Sequence, residues 1–243
     1  EYGFLEMLNN AIDHSEGTGV VIKTIWASDS VTIAIRDNGI GIFRKIKNAL
    51  ELDNERESIL DLSKGKFTTD QENHTGEGIF FTSRAFDIFH IVSRGISYIR
   101  TNWDEDWFVE TMKDENVPGT GLIMKIALDS KRKMQKVFEE FVEENPEGMP
   151  KFDRTHILVQ LSQLGDERYV SRSQARRICL GLEKFKHVVL DFKDISTVGQ
   201  GFVDEVFRVF QSKHPGIKIT YTNANDDVRF MIERSLPALE EEK

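Results

Sequence analysis

The sequence predicts an α/β protein that is divided into two domains. Segments rich in Val, Ile and Thr, which favour β-strands, alternate along the chain with segments of helical periodicity. A stretch with two prolines and a glycine, residues 145–153, separates the two halves. We therefore predict a first domain over residues 1–128, a linker helix and hinge over 129–151, and a smaller α/β domain over 152–243.

Composition and charge restrict the possible partners. The chain of 243 residues carries a net charge of −9, of which −8 falls on residues 1–128. An acidic surface repels nucleic acid and anionic lipid, so we expect neither as a direct partner. No apolar run is long enough to span a membrane, no signal-peptide pattern opens the chain, and Cys179 has no second cysteine to pair with. These features predict a cytoplasmic protein, and the abrupt start at Glu1 leads us to expect a further upstream segment.

Local patterning places the elements of the first half. Turn-bounded stretches rich in Val and Ile predict strands at residues 20–28, 30–37, 88–94, 96–103, 106–113 and 120–128. Apolar residues spaced by three and four predict helices at residues 3–15, 43–52, 77–87 and 131–144. The polar stretch 53–75 is predicted to be a long loop, and loops of that length in compact domains are usually functional or mobile.

Strands and helices alternate strictly in the second half. Strands are predicted at residues 155–164, 187–192 and 217–222, and helices at residues 171–185, 199–213 and 226–236. Ser171 is placed to cap the first of these helices, and Cys179 lies among apolar residues that indicate a core position. Such alternation predicts βαβ units and a partly parallel sheet.

Carboxylate and amide side chains line one side of the first helix. Glu6, Asn10 and Asp13 are spaced to fall on one narrow stripe, and an apolar set is predicted to face the core: Phe4, Leu5, Leu8, Ala11 and Ile12. Asparagine is a poor helix former, which raises the question of why it stands there. An amide oxygen suits Mg²⁺, and a glutamate one turn earlier can deprotonate a water near a bound phosphate. A simply solvated polar face is the alternative interpretation.

Two glycine-containing stretches follow. In "RDNGIGI" (residues 36–42), Asp37 ends a strand and can accept the exocyclic amine of adenine, while Gly39 and Gly41 allow the backbone to approach a flat ligand. A hairpin turn is the alternative. In "HTGEGIFFTS" (residues 74–83), Gly76 and Gly78 stand at a helix start, where backbone N–H groups can bind phosphate. A flexible turn is the alternative there.

In this order and spacing the three stretches resemble the N, G1 and G2 boxes of the GHKL ATPase superfamily, which includes gyrase B, MutL, heat-shock chaperones and histidine kinases. The resemblance covers roughly residues 1–128 and implies a two-layer α/β sandwich of the Bergerat type that binds ATP and Mg²⁺. It implies that Glu6 is the general base and that Asn10 holds Mg²⁺. It further implies a nucleotide-contacting set: Asp13, Asp37, Gly39, Gly41, Thr75, Gly76 and Gly78.

The same resemblance makes residues 53–75 an ATP lid. Four of its side chains are candidates to reach phosphate oxygens: Lys64, Lys66, Thr68 and Thr69. The alternative interpretation is that these lysines are simply exposed to solvent. The hydrolysing relatives with a transducer domain bring in a phosphate-binding lysine from that domain, and residues 129–243 show no obvious counterpart. This departure puts fast hydrolysis in doubt.

Residues 152–243 are similar to STAS-like domains, on the stretch "VVLDFKDISTVGQGFVDEVFRVF". Anti-sigma factor antagonists of that kind carry Asp-Ser-Ser, with a phosphorylated serine, where this chain has Gly199, Gln200 and Gly201. The resemblance therefore implies an interaction module without that phospho-switch, whose partner is another protein. Members of both families often form homodimers.

Three functions are compatible with these features. The first is a nucleotide-driven signalling switch in which slow ATP hydrolysis is coupled to the STAS-like domain. The second is a protein kinase of the histidine-kinase or anti-sigma serine-kinase type that acts on a separate partner. Histidine kinases carry their acceptor histidine upstream of the N box, and no acceptor pattern surrounds His14 or His74. The third is a scaffold without catalysis, which the presence of Glu6 opposes.

Overall fold

The computed structural model describes residues 1–67, 76–102, 107–111, 117–144, 150–163 and 169–236. Its internal contacts divide the chain into two compact units, unit 1 over residues 1–140 and unit 2 over residues 141–243. The segment 129–151, predicted as a linker, is thus shared between the two units. No helix among the described residues is both long enough and apolar enough to cross a membrane.

Unit 1 contains an antiparallel sheet of six strands in the order β1-β2-β6-β3-β4-β5. The strands are β1 (Val20–Trp26), β2 (Ser30–Asp37), β3 (Ile88–Ser93), β4 (Ile96–Thr101), β5 (Trp107–Thr111) and β6 (Thr120–Ala127). Side chains that pair across the strands on one face form a buried row: Ile35, Leu122, Ile91 and Tyr98. This face is the core of unit 1.

Helices form the second layer of unit 1. They are α1 (Tyr2–His14), α2 (Ile42–Leu50), α3 (Ser58–Lys64), α4 (Gly78–Ala85) and α5 (Met134–Phe141), whose last residue begins unit 2. Helix α1 packs against both α4 and β2. The Phe138 ring of α5 contacts Phe81 of α4, with ring centroids 4.4 Å apart, and also contacts Tyr2. Unit 1 is therefore a two-layer α/β sandwich, as predicted.

Three local predictions for unit 1 are wrong. Leu5 and Ile12 do not face the core but are 45% and 61% exposed, because α1 packs through Gly3, Met7 and Ala11 instead. The predicted loop 53–75 contains a 3₁₀ turn (Glu55–Glu57) and helix α3. The helix predicted over 131–144 ends at Phe141, and the chain continues as a strand.

Unit 2 has a parallel sheet in the order β11-β10-β9, which confirms the βαβ prediction. Its strands are β7 (Val142–Glu144) and β8 (Pro150–Phe152), which form an antiparallel pair, and β9 (Arg154–Leu158), β10 (His187–Asp191) and β11 (Lys218–Thr222). Its helices are α6 (Arg172–Cys179), α7 (Gln200–Asp204), α8 (Gln211–Lys213) and α9 (Asp226–Ser235). A π-helical turn (Glu205–Phe210) joins α7 to α8, and 3₁₀ turns cover Val159–Ser162 and Leu182–Lys184.

Two sequence signals in unit 2 are confirmed. Ser171 caps α6 in a complete capping box, in which its hydroxyl accepts from the Gln174 N–H and the Gln174 side chain accepts from the Ser171 N–H. Cys179 is buried in the core. The strand predicted over 155–164 is shorter than expected, because a 3₁₀ turn begins directly after Leu158.

Candidate functional site

A narrow cavity of about 90 Å³ lies in unit 1 beside α1. Its lining comes from α1, α2, α3, the start of α4 and the residues before it: Asn10, His14, Ile42, Lys45, Ile46, Leu62, Phe67, Gly76, Gly78 and Ile79. Three residues that the sequence singled out, Asn10, Gly76 and Gly78, thus meet at one place.

Glu6 lies one helical turn before Asn10 on α1, and its carboxylate is directed at the start of α4. A Cβ built on Gly78, the first residue of α4, would lie only 2.3 Å from Glu6 Oε2. Backbone N–H groups at a helix start lack intrahelical partners and attract negative charge. Burial, together with the charges of Glu6 and Glu77, raises the pKa of the Tyr2 hydroxyl above its ordinary value, so Tyr2 remains neutral beside this carboxylate.

The side chain of Asn10 offers one uncharged oxygen as a metal ligand. It is half-buried and lines the cavity, and its amide makes no hydrogen bond to any described residue. The described part of the chain contains no group of three His, Cys, Asp or Glu side chains able to enclose a metal. One amide oxygen in a cavity fits Mg²⁺, because that ion keeps several waters and takes its remaining ligands from phosphate.

Asp37 organises the loop that follows β2. Its side chain is 5% exposed, and Oδ1 accepts hydrogen bonds from the N–H groups of Gly39 (2.9 Å) and Thr120 (3.1 Å). The Thr120 hydroxyl in turn accepts from the N–H of Ile42, which lines the cavity. Oδ2 receives no hydrogen bond from a described residue, which leaves one carboxylate oxygen for an external donor.

Close packing requires both glycines of this loop. A Cβ on Gly39 would lie 1.9 Å from the carbonyl oxygen of Ser15, and that carbonyl accepts the N–H of Ile40 at 2.8 Å. Gly41 has φ +92°, and a Cβ there would lie 2.6 Å from Ser93 Oγ. The loop is thus held against the end of α1 by its backbone.

The remaining predicted residues lie elsewhere. Asp13 is exposed, and neither Asp37, Gly39 nor Gly41 directly lines the cavity. Lys64 is buried, donates to Asp61 Oδ1 at 3.0 Å, and does not line the cavity; Lys66 does not line it either. Thr68, Thr69 and Thr75 lie outside the described residues.

Two polar cavity residues were missed by the sequence reasoning. Lys45 donates through Nζ to the His14 carbonyl (2.7 Å) and to Glu16 (3.1 Å), so it ties α2 to the end of α1. His14 extends the stripe of Glu6 and Asn10 by one further turn, at the i+4 position. Extending the helical stripe would have found His14, whereas nothing local distinguishes Lys45 from the other lysines of its helix.

Two glycines at the start of α7 in unit 2 are closely packed. A Cβ on Gly199 would lie 2.6 Å from the Cα of Val170, and the Gly199 N–H donates to the Tyr169 carbonyl at 2.6 Å. Gly201 packs against the same segment, since a Cβ on Gly201 would lie 3.2 Å from the Val170 carbonyl oxygen. The positions that correspond to the aspartate and the second serine of the antagonists are therefore closely packed, whereas Gln200, at the first serine position, is exposed.

Asp191, at the end of β10, is the centre of a polar cluster in unit 2. His156 lies 3.1 Å from Oδ2, and Oδ1 accepts from the Asn223 side chain and the Lys193 N–H, each at 2.9 Å. Burial acts to raise the pKa of Asp191, but these hydrogen bonds outweigh it and hold the pKa below its ordinary value. The carboxylate thus joins β9, β10 and the residues after β11.

Comparison with known proteins identifies a family for a part of each half of the chain. Residues 3–90 match the family described as histidine kinase-, DNA gyrase B- and HSP90-like ATPase, and residues 174–229 match the STAS-like domain of unknown function (DUF4325). No curated protein sequence matches the chain.

Among solved structures, the chain is similar to the 43K ATPase domain of Thermus thermophilus gyrase B, crystallised in complex with an aminocoumarin. The identity is 18% and the TM-score 0.31, over 57% of this chain and 38% of that one. The chain therefore spans well under half of that solved chain. From the two family matches, the protein combines a GHKL-type ATPase domain in its first part with a STAS-like domain in its second.

Proposed function

We propose that the first domain, residues 1–128, binds ATP with Mg²⁺ and that its nucleotide state regulates the STAS-like domain, residues 152–243, through the linker 129–151. The STAS-like domain would bind another protein in the cytoplasm. The observation that carries the proposal is that Asn10 lines one cavity with Gly76 and Gly78, while Glu6, one turn earlier on α1, contacts Gly78 without lining the cavity.

Each end of the nucleotide has a proposed partner. The free Oδ2 of Asp37 would accept the exocyclic amine of adenine. The backbone around Gly76 and Gly78, at the start of α4, would face the phosphates. Asn10 would offer its amide oxygen to Mg²⁺, and the ion would neutralise phosphate charge. Lys66, Thr68 and Thr75 are further candidates for phosphate contacts, whereas Lys64 would first have to leave Asp61.

Hydrolysis would use Glu6 as the general base. The oxygen of a water attacks the γ-phosphorus while its proton passes to the Glu6 carboxylate. The bond from the γ-phosphorus to the β,γ-bridging oxygen breaks, and its electron pair leaves with ADP. The contact of Glu6 with the start of α4 supports this assignment, because positioning and electrostatics account for most of the catalysis in phosphoryl transfer.

The cavity would have to widen to accept a nucleotide. Its volume of about 90 Å³ is below the roughly 300–1,000 Å³ of ordinary ligand pockets. Leu62 and Phe67 line it from the side of α3 and the residues after it, so these side chains would move outward on binding. This need for opening favours slow binding over rapid turnover.

The test uses ATP labelled on the γ-phosphate, with magnesium, and follows the label into free phosphate and into protein. The wild type is compared with Glu6→Gln and Asn10→Ala. Asn9→Ala is the matched control, because Asn9 is the exposed neighbour on the same helix. We expect Glu6→Gln to bind ATP but to release at least about 100-fold less phosphate, within the range that general bases contribute.

The asparagine variants and the destination of the label decide between the remaining outcomes. Asn10→Ala should lose magnesium-dependent ATP binding, while Asn9→Ala should behave as wild type. Equal ATP binding by Asn10→Ala and wild type would show that the site assignment is wrong. Label that enters protein instead of free phosphate would replace the hydrolytic switch by a protein kinase.

A further inference from the structure

Strand β1 exposes an apolar surface at the edge of the unit 1 sheet. Six of its seven residues are exposed, and four large apolar side chains have exposed fractions between 45% and 72%: Val21, Ile22, Ile25 and Trp26. Within the described residues β1 pairs with β2 only, so its other side presents unpaired backbone groups. Lys23 is the only charged residue of the strand.

This edge lacks the usual protection against pairing. Natural proteins guard edge strands with several charges, prolines, bulges or short length. Strand β1 pairs with β2 over all seven residues in unbroken register and contains no proline. Its apolar side chains lie on both faces, since Ile22 pairs with the buried Ile35, whereas Val21 and Ile25 point to the opposite face.

We propose that β1 is the interface between two copies of this chain, in which the two β1 strands pair antiparallel about a two-fold axis through Thr24. A two-fold axis perpendicular to the sheet leaves each side chain on the same face of the combined sheet. Residues directly opposite each other must therefore both be even-numbered or both odd-numbered. The register centred on Thr24 places Ile22 opposite Trp26 of the second copy, and Lys23 opposite Ile25. It yields two pairs between an aromatic and a β-branched side chain and one Thr–Thr pair, which are favoured cross-strand pairs.

The register centred on Lys23 is poorer. A two-fold axis through Lys23 would place the two lysines directly opposite each other, which is destabilising, and would leave both Trp26 side chains opposite Val20. The axis through Thr24 separates the lysines and uses the most exposed side chain, Trp26 at 72%, in its best pair. The strand is thus complementary to itself in the register centred on Thr24.

The surface available suits a moderate homodimer. The four exposed side chains offer on the order of 400 Å² of apolar surface per copy, about half of the roughly 800 Å² that each partner buries in a standard interface. Backbone pairing and the sides of Thr24 and Lys23 would add to it. Since each copy carries a net charge of −9, the copies repel each other at a distance, and salt should strengthen the dimer. We expect a dissociation constant on the order of micromolar.

The first experiment is site-directed crosslinking of the full chain in a Cys179→Ala background, which removes the native thiol. In the proposed register Thr24→Cys brings two thiols directly opposite, within disulfide range. Lys23→Cys is the matched control, because its nearest copy lies diagonally, about 7–8 Å away. Mild oxidation should crosslink Thr24→Cys and leave Lys23→Cys monomeric. Crosslinking of neither variant, or of both equally, would overturn the register.

The second experiment measures mass by sedimentation between 1 and 100 μM, on the order of the expected dissociation constant. Ile22→Lys and Trp26→Glu should each weaken the dimer at least about tenfold, and the double variant should restore it, because the new charges attract each other across the axis. Phe230→Glu, at an exposed aromatic residue of α9, should change nothing. A wild type that stays monomeric at every concentration, or dimers indifferent to both single substitutions, would refute the proposal.

Discussion

Glu6 and Gly78 touch across the candidate site, since a Cβ on Gly78 would lie 2.3 Å from Glu6 Oε2. The atom that such a Cβ meets is the end of a flexible side chain rather than backbone. A side chain at position 78 would therefore move the carboxylate more readily than it would disturb the fold.

Gly78→Ala is predicted to separate activity from stability. The displaced carboxylate should reduce phosphate release from ATP at least about tenfold, because small errors in the position of a catalytic group are costly. The midpoint of thermal unfolding should change little. Gly19→Ala is the control, since nothing lies within 4 Å of a Cβ there. Equal activity of the two variants would show that the contact is irrelevant to catalysis.

Asp37→Asn is predicted to keep the loop but lose adenine recognition. The amide oxygen can still accept the N–H groups of Gly39 and Thr120, whereas the amide nitrogen takes the place of Oδ2 and faces the adenine amine donor to donor. Calorimetric titration should show ATP affinity reduced by about tenfold or more. Asp129→Asn, at an exposed carboxylate, should titrate as wild type. Undiminished binding by Asp37→Asn would remove Asp37 from the site.

Gly199→Ala is predicted to destabilise unit 2, because the Cβ would lie 2.6 Å from the Val170 backbone, which cannot move as a side-chain end can. Overpacking of this kind costs about 1–3 kcal/mol. Chemical denaturation measures the loss, with Gly216→Ala as the control at an open position. Gln200→Ser, at an exposed residue, should be tolerated. Equal stability of Gly199→Ala and wild type would show that the Val170 backbone does not exclude a side chain at position 199.

Asp191→Asn is predicted to show a pH-dependent loss of stability. The folded-state pKa of Asp191 lies below its ordinary value of about 3.9, so its ionised form stabilises the fold above that pH and the contribution is lost as pH falls through the folded pKa. At pH 7 the variant should be about 1–3 kcal/mol less stable than wild type. The difference should shrink below about pH 4.

Denaturant titrations from pH 7 to pH 3 measure the difference in free energy of unfolding between Asp191→Asn and wild type. Glu183→Gln, at an exposed carboxylate, serves as the control and should match the wild type at every pH. A gap between Asp191→Asn and wild type that stays constant down to pH 3 would contradict the assigned direction of the pKa shift.

The order of elements was predictable because their signals are local. The Val and Ile content of β1 and β2 and the alternation of strands and helices in unit 2 follow from neighbouring residues alone, and the structure confirms the parallel sheet. The buried side of α1 could not be predicted from neighbouring residues. Two apolar stripes overlap on this helix. The stripe with Gly3, Met7 and Ala11 is buried, and the lack of a side chain at Gly3 allows the near approach of Phe86 and Thr82.

The candidate site was predictable where it depends on one helix or one loop. Asn10, Gly76 and Gly78 carry recognisable spacing, and they meet at the cavity. The hydrogen bond from Thr120 to Asp37 joins residues 83 positions apart, and the bonds of Lys45 depend on how α2 packs beside α1. Such contacts are set by the tertiary fold and leave no local mark in the sequence.

Phe67 and Gly76 lie in direct backbone proximity, since a Cβ on Gly76 would lie 2.4 Å from the Phe67 carbonyl oxygen. The two ends of the connection between Phe67 and Gly76 are therefore held next to each other at the cavity wall. The free energy of closing a connection rises slowly with its length, by about 0.6 kcal/mol for each doubling. Relatives or engineered variants can accordingly carry connections of very different length between these two residues and still preserve the cavity wall that both of them form.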